Sequence, residues 1–352
     1  VGEWHAVKAI DGGVKKTKRL LFREFNAGYW LRLTLLVFLT TLGSASFNYR
    51  MSGEEFKEAL DTLSMELTVV ILIVFAVLVF IGLVLQYISS VYSFVFIKAV
   101  KEKEFKFIDG FRSNSGRGLS LFLFKLALGF TALIVVVALI VVVFGVYYYI
   151  GSGFLLIVFA VAGVIALLFV VLASSFITML TTDFVIAVMH EKDVGIISGW
   201  KTVVKLIQSN IEQFIVYILL KVGLGFVTGI ISGLIGLIVI IVLGLGAIVV
   251  GLGAVLGLGA LASAYPALKS LLIVGLIFGV LAVIIASWLI EYIILLITLP
   301  FPVFYRCFSL LFLQYVKPDL RFFSDMGGEH AEDREGEAEE KEINKGDEVK
   351  VY

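Results

Sequence analysis

From Phe214 to Tyr265 the chain carries one charged side chain, Lys221, among Ile, Leu, Val, Gly and Ala. Such a run is not stable in water, and it far exceeds the ~20 apolar residues that cross a hydrocarbon core of about 30 Å. Runs of the same character recur at about 27–46, 67–97, 119–150, 153–180 and 268–299. In lipid each backbone polar group must be satisfied within the chain, which leaves helices or a closed barrel. Barrel strands alternate apolar and polar residues, and these runs are continuous. Of 352 residues 60% are hydrophobic and 16% charged, well beyond the roughly half apolar content of a soluble domain. The expected fold class is therefore all-α: a polytopic helical membrane protein with about six transmembrane helices.

The fifth span is expected at 211–240. Fifty residues of continuous helix would extend about 75 Å, more than a bilayer accepts. The Gly-rich stretch at about 241–265 is therefore expected to fold back as an apolar hairpin in the outer leaflet. A seventh span is the alternative, but it would carry Arg306, Lys317 and Arg321 outside.

Orientation follows from basic residues in the short connections. Lys15, Lys16, Lys18 and Arg19 precede the first run, segment 98–118 holds six Lys and Arg, and segment 181–210 adds Lys192, Lys201 and Lys205. The 47–66 loop is instead acidic. Both termini are expected in the cytoplasm, with the protein multi-pass in the cell membrane. The organisation reads as a cytoplasmic amphipathic segment at 1–26, a transmembrane domain at 27–318, and a tail at 319–352. Eleven acidic and four basic side chains fall from Asp325 onward; that tail lacks apolar periodicity and is expected to be disordered.

A phrase is written three times: AIDGGVKK at 9–16, FIDGFRSN at 107–114 and IISGWKTV at 196–203. Its aligned position reads Asp11, Asp109 and Ser198, all of them residue types that cap helix N-termini. In the third copy Trp200, Val203, Val204 and Ile207 share one helical face, with Lys201, Lys205 and Gln208 opposite. The first copy sets Val14, Leu21 and Phe25 against Lys15, Lys16 and Arg19. The second is interrupted by Gly116 and Gly118, which weakens its helix. Helices of this type lie in the interface with their basic face on anionic headgroups. A span follows each copy and opens with a cation: Arg32, Lys125 or Lys221. The stretches YSFVFIKAV (92–100), TDFVIAVMH (182–190) and PFPVFYRCF (300–308) close the returning spans alike. The expected unit is a surface helix, a span out and a span back, in a three-fold parallel repeat.

Ionisable residues within spans are functional candidates. Lys221 lies about ten residues into its span and Glu291 about nine before Pro300, so the two are expected to pair, as a structural lock or as part of a binding or conduction site. Arg32 and Lys125 lie nearer the interface and are expected to snorkel. Asp183 reads as a helix-end or loop residue. Gly225, Gly229 and Gly233 recur every fourth residue, a ridge that admits a close neighbouring helix. Polar residues within the spans are few, Ser174, Ser175 and Thr228 among them. No catalytic constellation, metal-ligand spacing or cofactor motif is present, and nothing points to nucleic acid.

The stretches AIDGGVKKTKRLLF before WLRLTLLVFL, DFVIAVMHEKDVGIISGWKTVVKLIQSNIEQFIVYILLKVGLG and LPFPVFYRC carry a resemblance, most specific between Asp183 and Lys221. Through about residue 318 the chain resembles uncharacterised multi-pass archaeal membrane proteins related to the membrane domain found with glycerophosphoryl diester phosphodiesterases. That resemblance implies an all-helical domain of roughly six spans with repeated surface helices. It transfers no activity, because the phosphodiesterase chemistry of that group resides in a separate soluble domain. The expected function is that of a non-catalytic membrane protein, a lipid-interacting scaffold or complex subunit. Its expected partners are anionic lipids of the cytoplasmic leaflet, and further proteins or a second copy. The alternative is a transporter or channel for a small or lipidic solute, using Lys221 and Glu291.

Overall fold

The computed structural model describes residues 4–23, 25–42, 65–103, 106–150, 153–264 and 269–323. Nearly all of the expected 47–66 loop, and the acidic tail beyond Phe323, lie outside the described residues. What is described is helical: α1 (His5–Leu21), α2 (Ala27–Thr41), α3 (Met65–Glu102), α4 (Phe107–Ile150) and α5 (Gly153–Leu180). A π-helical turn (Thr181–Val185) then leads into α6 (Ile186–Lys192), followed by α7 (Ile196–Ser209), α8 (Ile211–Ala264), α9 (Lys269–Thr298) and α10 (Pro300–Val316).

Four of these are long and apolar enough to cross a membrane: α3, α4, α5 with its continuation through α6, and α8. The pair α9 and α10, bent by 62° at its junction, would make a fifth. Pro300 and Pro302 cause that bend, because each lacks an N–H and crowds the carbonyl one turn back. Of the first expected span, 27–46, residues 43–46 lie outside the described residues; its described helix, α2, has 15 residues, against the ~20 that cross a bilayer.

The core sits at one end of the molecule. Its buried side chains include Phe94, Ile97 and Val100 at the end of α3, Phe184 to Met189 in the π-turn and α6, and Val303 to Leu313 in α10. These are the three similar span endings of the sequence, and they pack on one another. Polar ties hold the same end: Lys101 Nζ lies 3.2 Å from Glu191 Oε2, and Arg117 Nη2 lies 2.8 Å from Asp193 Oδ1. His5 N donates to Gln213 Oε1 at 3.1 Å, joining α1 to the start of α8.

Beyond this end the helices carry apolar side chains into the surroundings. Phe75, Phe80, Ile134, Phe144, Phe169 and Phe226 are all more than half exposed. Each large aliphatic or aromatic left in water forfeits about 1.5–3 kcal/mol. Summed over these helices, that exceeds the whole net stability of about 5–15 kcal/mol of a folded domain. Their solvent is lipid.

Several expectations are corrected here. Residues 241–264 continue α8 without the expected hairpin, so that helix runs 54 residues. An apolar helix keeps every backbone bond inside itself, whereas a hairpin turn would expose polar groups to lipid; the glycines cost only about 1 kcal/mol each. The second phrase is the beginning of α4 and forms no separate surface helix. Gly118 lets α3 and α4 approach, since a Cβ there would lie 2.9 Å from Val91 Cα.

The caps also fall elsewhere. Asp11 lies inside α1, whose N-cap is Trp4, and Ser198 lies inside α7, whose N-cap is Gly195. Asp109 is in the first turn of α4, where a negative charge suits the helix dipole. Asn26 is the side chain that does cap: its Oδ1 accepts from Tyr29 N at 3.1 Å. Of the expected apolar face of α1 only Leu21 is buried in the protein, and Lys16, expected opposite, is buried as well. Ala6, Ala9, Gly13 and Thr17 pack on α10, with Phe304 Cε2 3.2 Å from a Cβ built at Gly13, while Val14 and Phe25 are exposed. Small residues win because they let two helix backbones approach.

Candidate functional site

The π-turn at the end of α5 organises the polar residues of the packed end. A π-turn inserts one extra residue into a helix and shifts the carbonyl register, and such turns are frequent at functional sites. Here Thr181 Oγ1 bonds back to Ile177 O at 2.7 Å, and Thr182 O accepts from Arg306 Nη1 at 2.6 Å. Arg306 reaches this carbonyl from α10, with its guanidinium 5.3 Å from the centre of the Phe96 ring.

One residue on, the turn points Asp183 into the protein, where its side chain is 6% exposed. Lys221 Nζ forms an ion pair with its Oδ2, and Tyr217 Oη donates to the same oxygen at 3.1 Å. Tyr217 and Lys221 are one helical turn apart on α8, so both present to α5 from one face. The Tyr217 ring is fully buried, stacked 4.7 Å from Phe308 and 4.5 Å from Phe312, with Phe184 at 4.9 Å. This aromatic packing fixes the phenol and, through it, the carboxylate.

The expected partnership of Lys221 with Glu291 is thus corrected: Asp183 is the partner. Glu291 is exposed on α9, with Thr41 Oγ1 3.4 Å from its Oε1. The reason is the bend at Pro300, which sets the first turns of α8 beside α10 instead of α9. Gly236 meets Ile294, fifteen residues beyond Lys221, and at 1.5 Å per residue that is about 22 Å along the helix.

Other expected site residues sort as follows. Arg32 is exposed on α2, whereas Lys125 is half-buried on α4 and within Coulombic range of Arg306. A Cβ at Gly225 would lie 3.9 Å from Tyr305 Oη, but Gly229 and Gly233 meet nothing within 4 Å. The glycine ridge therefore does not pack along its length within the described chain. Tyr305 lies beside Lys221, its ring centre 6.0 Å from Nζ, and its hydroxyl is 2.7 Å from Thr228 Oγ1.

Two open grooves flank this end. One, of about 510 Å³, is lined by Ser174, Ser175, Thr178, Thr182, Asp183 and Lys221. The other, also about 510 Å³, lies between α4 and α7 and is lined by Phe124, Ile197, Trp200, Lys201, Lys205 and Gln208. Trp200 forms part of the wall of the second; among the described residues its indole N–H is shielded from solvent and has no hydrogen-bond partner. Ile197 is 71% exposed beside it. Among the described residues no group of His, Cys, Asp and Glu is arranged to hold a metal ion.

Of this set the sequence marks Lys221 as a site residue, while Asp183, Tyr217 and Arg306 are not legible as its partners. The signal was present in TDFVIAVMH and PFPVFYRCF, two apolar endings that carry Asp183 and Arg306.

Fold and site together define a multi-helical membrane protein whose polar residues converge at one packed end. The chain belongs to a family of unknown function (DUF7544), whose model matches residues 4–323. No curated protein and no solved structure matches it.

Proposed function

We propose that this chain is a non-catalytic membrane protein of the cell membrane that engages anionic lipid headgroups and serves as a scaffold or complex subunit. The observation that carries this reading is the groove on α7. An open apolar trough with Trp200 at its wall is rimmed by Lys201 and Lys205. Acyl chains suit the trough, and the exposed ammonium groups of Lys201 and Lys205 offer donors to ester or phosphate oxygens. Each Lys near an anionic surface contributes about 1 kcal/mol, so two give a preference of roughly thirtyfold. The reading puts both termini on the cytoplasmic side, which the Lys and Arg excess of the short connections supports.

The test is quenching of Trp200 fluorescence by brominated lipid in nanodiscs, with Trp200→Phe giving the contribution of that residue. Brominated phosphatidylglycerol should quench more than brominated phosphatidylcholine, and K201E/K205E should erase the difference. Equal quenching by both lipids in the unaltered protein contradicts the reading.

A second reading, transfer of a small or lipidic solute, has one observation in its favour: the polar groove beside Lys221. Flux in proteoliposomes that is lost in a folded Lys221→Ala protein supports it, and unchanged flux removes Lys221 from any pathway.

A further inference from the structure

The groove between α5 and α8 differs in chemistry from the one on α7, and its argument does not rest on that one. Ser174 and Thr178 are one turn apart on α5 and so share one face, with Ser175 beside them and Thr182 of the π-turn completing that wall of the groove. Among the described residues the hydroxyls of Ser174, Ser175 and Thr178 make no hydrogen bond. In a helix surrounded by lipid, such hydroxyls usually bond back to the carbonyl one turn earlier. These three line the groove without such a bond.

The charges nearby do not balance. Lys221 closes the groove at one end with its side chain 19% exposed, and Arg306 lies behind the wall, bonded to Thr182 O. Against these two cations stands one carboxylate, Asp183, already engaged by Lys221 and Tyr217. Among the described residues no carboxylate forms a salt bridge with Arg306. A buried cation without a paired carboxylate costs several kcal/mol, and a bound anion lowers that cost.

We propose that this groove binds one phosphate-type anion, with Lys221 as the charge partner and Ser174, Ser175 and Thr178 as hydroxyl donors. Phosphate chemistry fits because its oxygens accept several hydrogen bonds at once while carrying the missing negative charge. The groove is an open one, so the anion can arrive from either of two sources. It can be the phosphodiester of a lipid headgroup entering sideways from the bilayer, or a free phosphate entering from water.

The experiment uses the full chain carrying K201E/K205E, so that lipid held on α7 does not contribute. In one arm, inorganic phosphate is titrated in detergent at constant ionic strength and the melting temperature is followed. In the other, native mass spectrometry counts phosphatidylglycerol retained from mixed nanodiscs against phosphatidylcholine. S174A/S175A/T178V leaves the Asp183–Lys221 pair intact and removes the donors.

A stabilisation by phosphate that needs about tenfold more phosphate in the triple variant assigns the site to a free anion. Preferential retention of phosphatidylglycerol that falls about tenfold in the triple variant assigns it to a lipid headgroup. If the K201E/K205E protein is neither stabilised by phosphate nor selective for phosphatidylglycerol, the proposal is overturned, whatever the folding of the triple variant. It is also overturned if a folded triple variant behaves as its parent in both arms.

Discussion

Lys221 of α8 and Asp183 of the π-turn form an ion pair at the packed end of the molecule, with Tyr217 Oη bonded to the same carboxylate oxygen. Removing one member of a buried pair leaves the other charged without compensation, at about 3–5 kcal/mol. Lys221→Met and Asp183→Asn should each lower stability by roughly that amount. The double variant should lose much less than the sum, giving a coupling energy above about 1 kcal/mol. Glu291→Gln, at an exposed residue, should stay within about 0.5 kcal/mol. Unfolding in detergent across this set and the Lys221→Met/Glu291→Gln double variant measures all three, and a larger coupling of Lys221 with Glu291 than with Asp183 would reverse the assignment.

Arg306 holds the π-turn by donating to Thr182 O while lying against Phe96. A lysine offers a point charge where the planar guanidinium fills a slot. Arg306→Lys should therefore lose about 2 kcal/mol or more, in the range for a broken buried network, and Arg306→Met at least as much. Melting temperatures of the two, compared with the parent, check this; an unperturbed Arg306→Lys would show that charge alone suffices.

Two glycines just after the second phrase separate close packing from helix breaking. At Gly118 a Cβ would press on Val91 Cα at 2.9 Å, whereas Gly116 faces open space. Gly118→Ala should destabilise by about 1–3 kcal/mol through overpacking. Gly116→Ala should stabilise by up to about 1 kcal/mol through helix propensity. Opposite signs in one unfolding series are the expected outcome.

The capping assignments make a similar contrast. Asn26→Ala removes the Oδ1 that accepts from Tyr29 N and should cost about 1 kcal/mol. Asp11→Ala and Ser198→Ala change residues inside helices and should stay within about 0.5 kcal/mol. A larger loss at Asp11 than at Asn26 would restore the reading of the repeated phrase as a set of caps.

Much of this fold is legible in the sequence because lipid imposes simple rules. Continuous apolar runs report long helices, and the isolated charge at Lys221 marks a place that needs a partner. Choosing that partner required depth, which counting along the chain supplies only if every helix enters the membrane alike. The bend at Pro300 breaks that assumption: it sets α10 beside the first turns of α8 and leaves Glu291 far along α9. The hairpin expected at 241–265 failed for another reason. Glycine punctuates helices in water, where a freed backbone group finds a solvent partner, but in lipid the continuous helix is the cheaper state. The contact face of α1 is not legible from its large residues alone, because Ala6, Ala9 and Gly13 make the close approach to α10 beside the buried Leu20 and Leu21.

The account depends on the packed end being a single assembly on one side of the bilayer, with apolar helices extending from it into lipid. Single cysteines at Lys15, Arg112, Lys201 and Tyr148, in a Cys307→Ser background, can be labelled with a membrane-impermeant maleimide in vesicles of known orientation. Lys15, Arg112 and Lys201 should all react from one side, and Tyr148, at the far end of α4, only from the other. Reaction of Lys15 and Lys201 from opposite sides would contradict the account.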